Sequence, residues 1–208
     1  SEAIAGIKDA CLALNTPVVS GNVSFYNQTD GVNIKPTPMI GMVGRMNDVR
    51  KATKARITDA ASIYLLSVKN EEPFLAGSLM SKLLSIEKSH THSDNLKLDW
   101  TGISEALSWL EGFIQQYGEA IEAVRDVGQG GILTTLVKMV WDHQLGFEIR
   151  ESDLVGLFGE SAGQFLIAVP EPMEKMLADQ GNSLRHCTLT KFGKALSDDG
   201  RFRVNDLT

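Results

Sequence analysis

The stretch from residue 16 to residue 44, TPVVSGNVSFYNQTDGVNIKPTPMIGMVG, constrains the fold more than any other, because strand-like apolar runs alternate there with small and polar residues. Residues 16–19 read as a short buried strand and residues 38–43 as a second one, entered behind two prolines. Between them Ser20, Gly21, Asn22 and Ser24 stand where a strand ends, the place where open α/β layers put their ligands. Gly21 lets another backbone approach closely, Asn22 offers both a donor and an acceptor, and the serines add hydroxyls. Together they make a cradle for a phosphate or a small polar substrate. The same residues have a plainer reading, in which Asn22, Asn27 and the Asp30-Gly31 pair make turns between hairpin strands.

A chain of 208 residues can hold one large domain, or one domain and part of another. The formal charge of -6 leaves no broad basic surface for nucleic acid, and the run Arg50, Lys51, Lys54, Arg56 reads as a solvated linker or helix face. Cys11 lies on the apolar side of a predicted helix and Cys187 in a predicted strand. Both read as buried thiols of a reducing compartment, not as a disulfide framework. No apolar run reaches the length of a membrane span and no signal-peptide pattern opens the chain. The expected location is the cytoplasm, away from membranes.

Residues 2–15 carry Ile4, Ile7, Cys11 and Leu14 at helical spacing. This helix feeds a strand with no earlier strand to cover, which reads as the end of a larger α/β domain. A polar, basic segment follows, and the expected division is 1–50 for that partial domain and 51–208 for a second one. In the second, residues 61–68 read as a strand, Gly77-Ser78 as a bend and residues 79–86 as a short helix. His90 and His92 are two apart in a polar stretch. Without a third ligand fixed nearby, they read as part of an exposed loop, not as a metal pair. Ile103, Leu107, Leu110, Ile114, Tyr117 and Ile121 define the longest helix, capped by Asp99 or Thr101 and ended by Gly118. Trp100 and Trp109 read as packing residues.

The second chemical candidate is RDVGQGGILTTLVKMVWDH, residues 125–143. An apolar approach ends at Asp126, Gly128, Gly130 and Gly131 form a turn, and Ile132, Leu136, Met139 and Val140 begin an amphipathic helix. A carboxylate beside such a turn can hold magnesium, while exposed amides face phosphate. An acidic residue that merely solvates a tight loop is the plainer alternative. Beyond it, Phe147 and Ile149 alternate as an exposed-face strand, Gly159-Glu160-Ser161 makes a polar turn and residues 165–169 form a buried strand. A helix follows with Pro172 in its first turn and Met173, Met176 and Leu177 inward. Residues 184–190 and 201–207 complete the pattern as strands around Asp198-Asp199-Gly200. No histidine near Ser161 supplies a base, which excludes serine-hydrolase chemistry. The fold class is α/β (α+β): a partial first domain, then a two-layer domain of four or five strands and three or four helices.

SGNVSFYNQT, PTPMIGMVG, LAGS, LDW, RDVGQGG and LFGESAGQFLIAV occur in this order along nearly all of the chain. In these motifs the chain resembles the aminoimidazole ribonucleotide synthetase superfamily, and within it the ATP-dependent synthetase subunits of the phosphoribosylformylglycinamidine synthase family. The resemblance implies an ATP- and Mg2+-dependent ligase of purine biosynthesis that phosphorylates the amide oxygen of formylglycinamide ribonucleotide. Ammonia from a glutaminase component then displaces the phosphate. By similarity, Ser20, Gly21, Asn22 and Ser24 match the substrate loop. Gly21, Asn22, Gly130 and Gly131 match nucleotide-binding positions, and Asp126 matches a metal-proximal carboxylate. The family loop is usually written His-Asp-x-Ser-Asp-Gly-Gly. Here Arg125 stands for the histidine, and Gly128 and Gln129 for the serine and second aspartate, with one negative charge fewer. Ser20 stands for a more common glycine.

The resemblance implies the carboxy-terminal half of such a synthetase subunit, without catalytic residues of its own and inactive in isolation. Its implied partners are the missing amino-terminal half, the glutaminase and a small nucleotide substrate, with a homodimer also open. Two alternatives stand beside it: a noncatalytic or regulatory module of the same fold, and another ATP-dependent kinase or synthetase of the superfamily.

Overall fold

The computed structural model describes residues 2–23, 27–34, 37–75, 77–84, 98–150, 153–197 and 200–204. The chain clusters into two units, Ser1–Asn47 and Asp48–Thr208.

In the first unit, helix α1 (Glu2–Ala13) follows the predicted periodicity, yet none of its residues is buried and Cys11 is half-buried. Strands β1 (Gln28–Thr29) and β2 (Val32–Asn33) pair antiparallel. They are joined by Asp30 and Gly31, both left-handed at φ 50° and 77°. A two-residue turn of this kind matches the twist of a hairpin, so Asp30-Gly31 makes the turn that the plainer reading assigned to it. Residues 16–19 and 38–43 are neither strands nor buried, and Val19 and Val43 are 91% and 101% exposed. An apolar run becomes a strand only where a neighbouring backbone pairs with it, and among the described residues none does.

The second unit is built on a six-stranded sheet in the order β4-β6-β3-β7-β5-β8. Its strands are β3 (Ala61–Val68), β4 (Ala123–Asp126), β5 (Gly146–Ile149), β6 (Phe165–Val169), β7 (Cys187–Leu196) and β8 (Phe202–Val204). β3 and β6 have the expected limits. β4 is the additional strand, too short at four residues to show alternation. β7 and β8 do not pair with each other. β8 instead runs parallel to β5, where Phe147 N donates to Arg201 O at 3.0 Å. β5 lies between β7 and β8, and its Phe147 and Ile149 are fully buried, so it is not an exposed-face strand.

The helices are α2 (Leu79–Leu83), α3 (Trp100–Tyr117), α4 (Gly131–Val140), α5 (Leu154–Phe158) and α6 (Glu174–Gly181). Asp99 caps α3 by accepting from Gly102 N, and Gly118 is its C-cap. Ile121 therefore lies beyond the helix. The buried stripe of α3 runs through Ile103, Ala106, Leu110 and Phe113, while Leu107 is 38% exposed. The small Ala106 and Gly102 let the helix sit close to the sheet, which turns the stripe one position from the expected one. His90, His92, Asp198 and Asp199 lie outside the described residues.

The principal core forms where α4 covers the sheet. Ile132, Leu136, Met139 and Val140 pack with Ile63, Phe147, Ile149, Leu166 and Ala168. This packing fixes α4, and with it the glycine turn at its start.

Candidate functional site

The site grows from the end of β4. Arg125 and Asp126 pair with Leu166 and Phe165 of β6, and the ladder continues one step further as Val127 N donates to Gln164 O at 2.9 Å. The chain then turns, Gly131 N donating to Gly128 O at 3.0 Å, and enters α4. Gly130 and Gly131 both adopt positive φ, 89° and 73°, a region that glycine enters without the Cβ clash. Space also demands glycine. A Cβ on Gly131 would lie 2.7 Å from the Phe158 backbone, and one on Gly130 would lie 2.6 Å from Thr134 Oγ1.

Glu160 holds this turn. Its Oε1 accepts from Gly130 N at 3.0 Å and from Leu79 N at 3.1 Å, while its backbone exchanges hydrogen bonds with Phe74. One carboxylate thus joins the glycine turn to the start of α2. The sequence marks Glu160 as a polar turn residue but not its partner, because the contact spans 30 positions. In the same loop Ser161 Oγ and Gln164 Oε1 are buried without a protein hydrogen-bond partner. Gln164 escaped sequence reasoning, although an amide directly before the apolar run FLIAV is a visible signal.

At the start of α4, Gly130 is an N-cap without a side chain to accept from the helix. The first amides of a helix have no intrahelical acceptor and carry the positive end of its dipole, so this turn suits an anion. Asp126 is exposed at the strand end. Among the described residues no three His, Cys, Asp or Glu side chains gather as a metal-ligand set. Glu160 is committed to backbone amides, which leaves Asp126 as the exposed carboxylate at this turn among the described residues.

The other predicted residues lie in the first unit. Ser20, Gly21 and Asn22 are exposed and outside regular secondary structure, and Ser24 lies outside the described residues. A groove of about 520 Å³ runs along α4, from Arg125 and Phe158 at the glycine turn to Trp141 beyond the helix end. No helix among the described residues is long and apolar enough to cross a membrane.

The chain as a whole is similar to known proteins. Residues 1–46 match the family model described as AIR synthase related protein, N-terminal domain. Over nearly its whole length the chain is similar to phosphoribosylformylglycinamidine synthase subunit PurL. It is 31% identical to that of Staphylococcus epidermidis over 202 residues, 96% of this chain and 26% of the relative. The Campylobacter hominis subunit is 34% identical over 205 residues, 98% of this chain and 26% of that one. Among solved structures, Thermotoga maritima PurL complexed with FGAR superposes with a TM-score of 0.58 at 12% identity, over 76% of this chain and 27% of that chain. The mixed α/β architecture is thus that of the AIR-synthase-like fold. The chain spans about a quarter of the length of the relatives it matches.

Proposed function

We propose that this chain is part of an ATP-dependent carbon-nitrogen ligase of the PurL kind. That enzyme converts formylglycinamide ribonucleotide, ATP and glutamine-derived ammonia to the amidine, ADP and phosphate. The observation that carries the reading is the collinear match to PurL over 96% of the chain. The glycine turn that opens α4 has the chemistry the reaction needs. In this reading residues 1–50 belong to an amino-terminal-type domain and residues 51–208 to its carboxy-terminal partner.

Ser20, Gly21, Asn22 and Ser24 bind substrate, and Gly21 and Asn22 also contact nucleotide. At the glycine turn, the amides that follow Gly130 and Gly131 donate to a phosphoryl group, as helix N-termini do to anions. Glu160 keeps the turn in shape without entering the reaction. The donor set fits a magnesium ion brought in on the nucleotide's phosphates, with Asp126 as its one protein carboxylate, since magnesium in such sites takes one or two carboxylates plus substrate phosphates. Bound there, the ion would offset phosphate charge.

Activation of an amide oxygen also requires that water be kept out, and this chain spans only about a quarter of the relatives it matches. In isolation it therefore binds but does not turn over. The rest of the synthetase, about three quarters of its length and not the half expected from the sequence, and a glutaminase supplying ammonia complete it. Calorimetric titration with ATP and magnesium tests the site residues. Binding should weaken at least tenfold in Asn22→Ala and Asp126→Ala, and a folded chain whose binding ignores both changes would remove them from the site.

A further inference from the structure

The groove along α4 has a composition that the glycine turn does not explain. Leu133, Val137 and Trp141 follow one another at steps of four, so they line one side of α4 and its continuation. With Phe158 they give the groove an apolar wall. Trp141 is 70% exposed, a large aromatic surface left to water. Arg125 and Lys138 line the same groove, and neither is in an ion pair among the described residues. Arg56, by contrast, is paired with Asp142, the groove-lining residue next to Trp141. Two cations without an ion pair and an open aromatic ring along one groove, on a chain whose formal charge is -6, select for an anion with a flat apolar body. Guanidinium and ammonium groups bind phosphate, and an indole face stacks on an aromatic ring. The volume of about 520 Å³ falls in the range of small-molecule sites.

We propose that this groove is a second binding site, one that takes an aromatic phosphate of the nucleotide class without a metal. Phosphate lies against Arg125 and Lys138, and the base lies on Trp141. No metal is needed, because the one carboxylate among the described residues that line the groove, Asp142, is held by Arg56. The site does not depend on the ligase reading, since none of its contacts uses Asp126 or the first unit.

The test is a titration of the whole 208-residue chain with ADP and AMP in the presence of a chelator, read as quenching of tryptophan fluorescence. Trp141 lines the groove and Trp100 and Trp109 do not, so quenching by a ligand bound there reports on Trp141. The expected result is saturable quenching that survives Asp126→Ala. Lys138→Glu should weaken it at least tenfold, and Trp141→Phe should abolish the quenching while calorimetry still detects the ligand. Absence of saturable binding by a chain with native circular dichroism overturns the proposal. So does binding that requires magnesium and Asp126 but ignores Lys138→Glu, an outcome that leaves the ligase reading intact. Protection of the groove by polyglutamate but not by either nucleotide would make it a docking face for an acidic protein, and would equally overturn the proposal.

Discussion

Gly131 carries two constraints at once, a positive φ and a backbone neighbour where a side chain would begin. Replacing it with alanine should cost about 2–4 kcal/mol, from left-handed strain plus overlap with Phe158. Gly112, on the exposed side of α3, has nothing within 4 Å of the point where a Cβ would stand, so Gly112→Ala should stabilise by about 0.5–1 kcal/mol. Chemical denaturation of the two variants checks both signs. Glu160→Ala leaves the amides of Gly130 and Leu79 without their acceptor. It should destabilise by about 1–3 kcal/mol, with faster hydrogen exchange at those two amides. The glycine run is legible in the sequence because glycine's allowed conformations are local. The hold that Glu160 has on it is not, because a bond between distant positions leaves no periodic trace.

Between elements, polar clamps supplement the core. Glu174 at the start of α6 accepts from Lys191 Nζ at 2.5 Å, from Ser62 Oγ at 2.6 Å and from Tyr64 Oη at 3.3 Å, tying the helix to β3 and β7. Lys191 first, and Ser62 after it, hold this carboxyl below its ordinary value of 4.5. A carboxyl depressed in the folded state stabilises above its unfolded value, and the contribution is lost as pH falls through the folded one. Glu174→Gln should therefore lower stability near neutrality, where the ionised carboxylate contributes, and flatten the further loss below about pH 4.5, as an acid titration followed by circular dichroism would record. At the start of β7, burial pushes the Cys187 thiol up to about 12, with Glu105 adding to the shift. A thiol-reactive dye should modify Cys11 in the native chain and reach Cys187 only on unfolding. Elements with long apolar periods, such as β3, β6 and α3, are legible in the sequence. Residues 16–19 and 38–43 mislead because pairing, not apolar content, makes a strand, and β8 because its partner is β5 and not its sequence neighbour.

At the scale of the molecule, the two units differ in kind. The second has a continuous core under α4, whereas no described residue of 2–47 is buried. A chain of residues 48–208 should unfold in one cooperative transition, while residues 1–47 alone should show none, since a lone hairpin and a helix without a buried face do not sustain folding. Scanning calorimetry of the two pieces decides this. The ligase reading belongs to this scale, because it places the chain as about a quarter of a larger catalyst. Its most direct test replaces the matched segment of the Staphylococcus epidermidis subunit with this chain and measures ADP release that requires both formylglycinamide ribonucleotide and ammonia. The predicted result is substrate-dependent release that falls at least tenfold in Asp126→Ala. A stably folded hybrid with no such release, or with release indifferent to that substitution, would contradict the account.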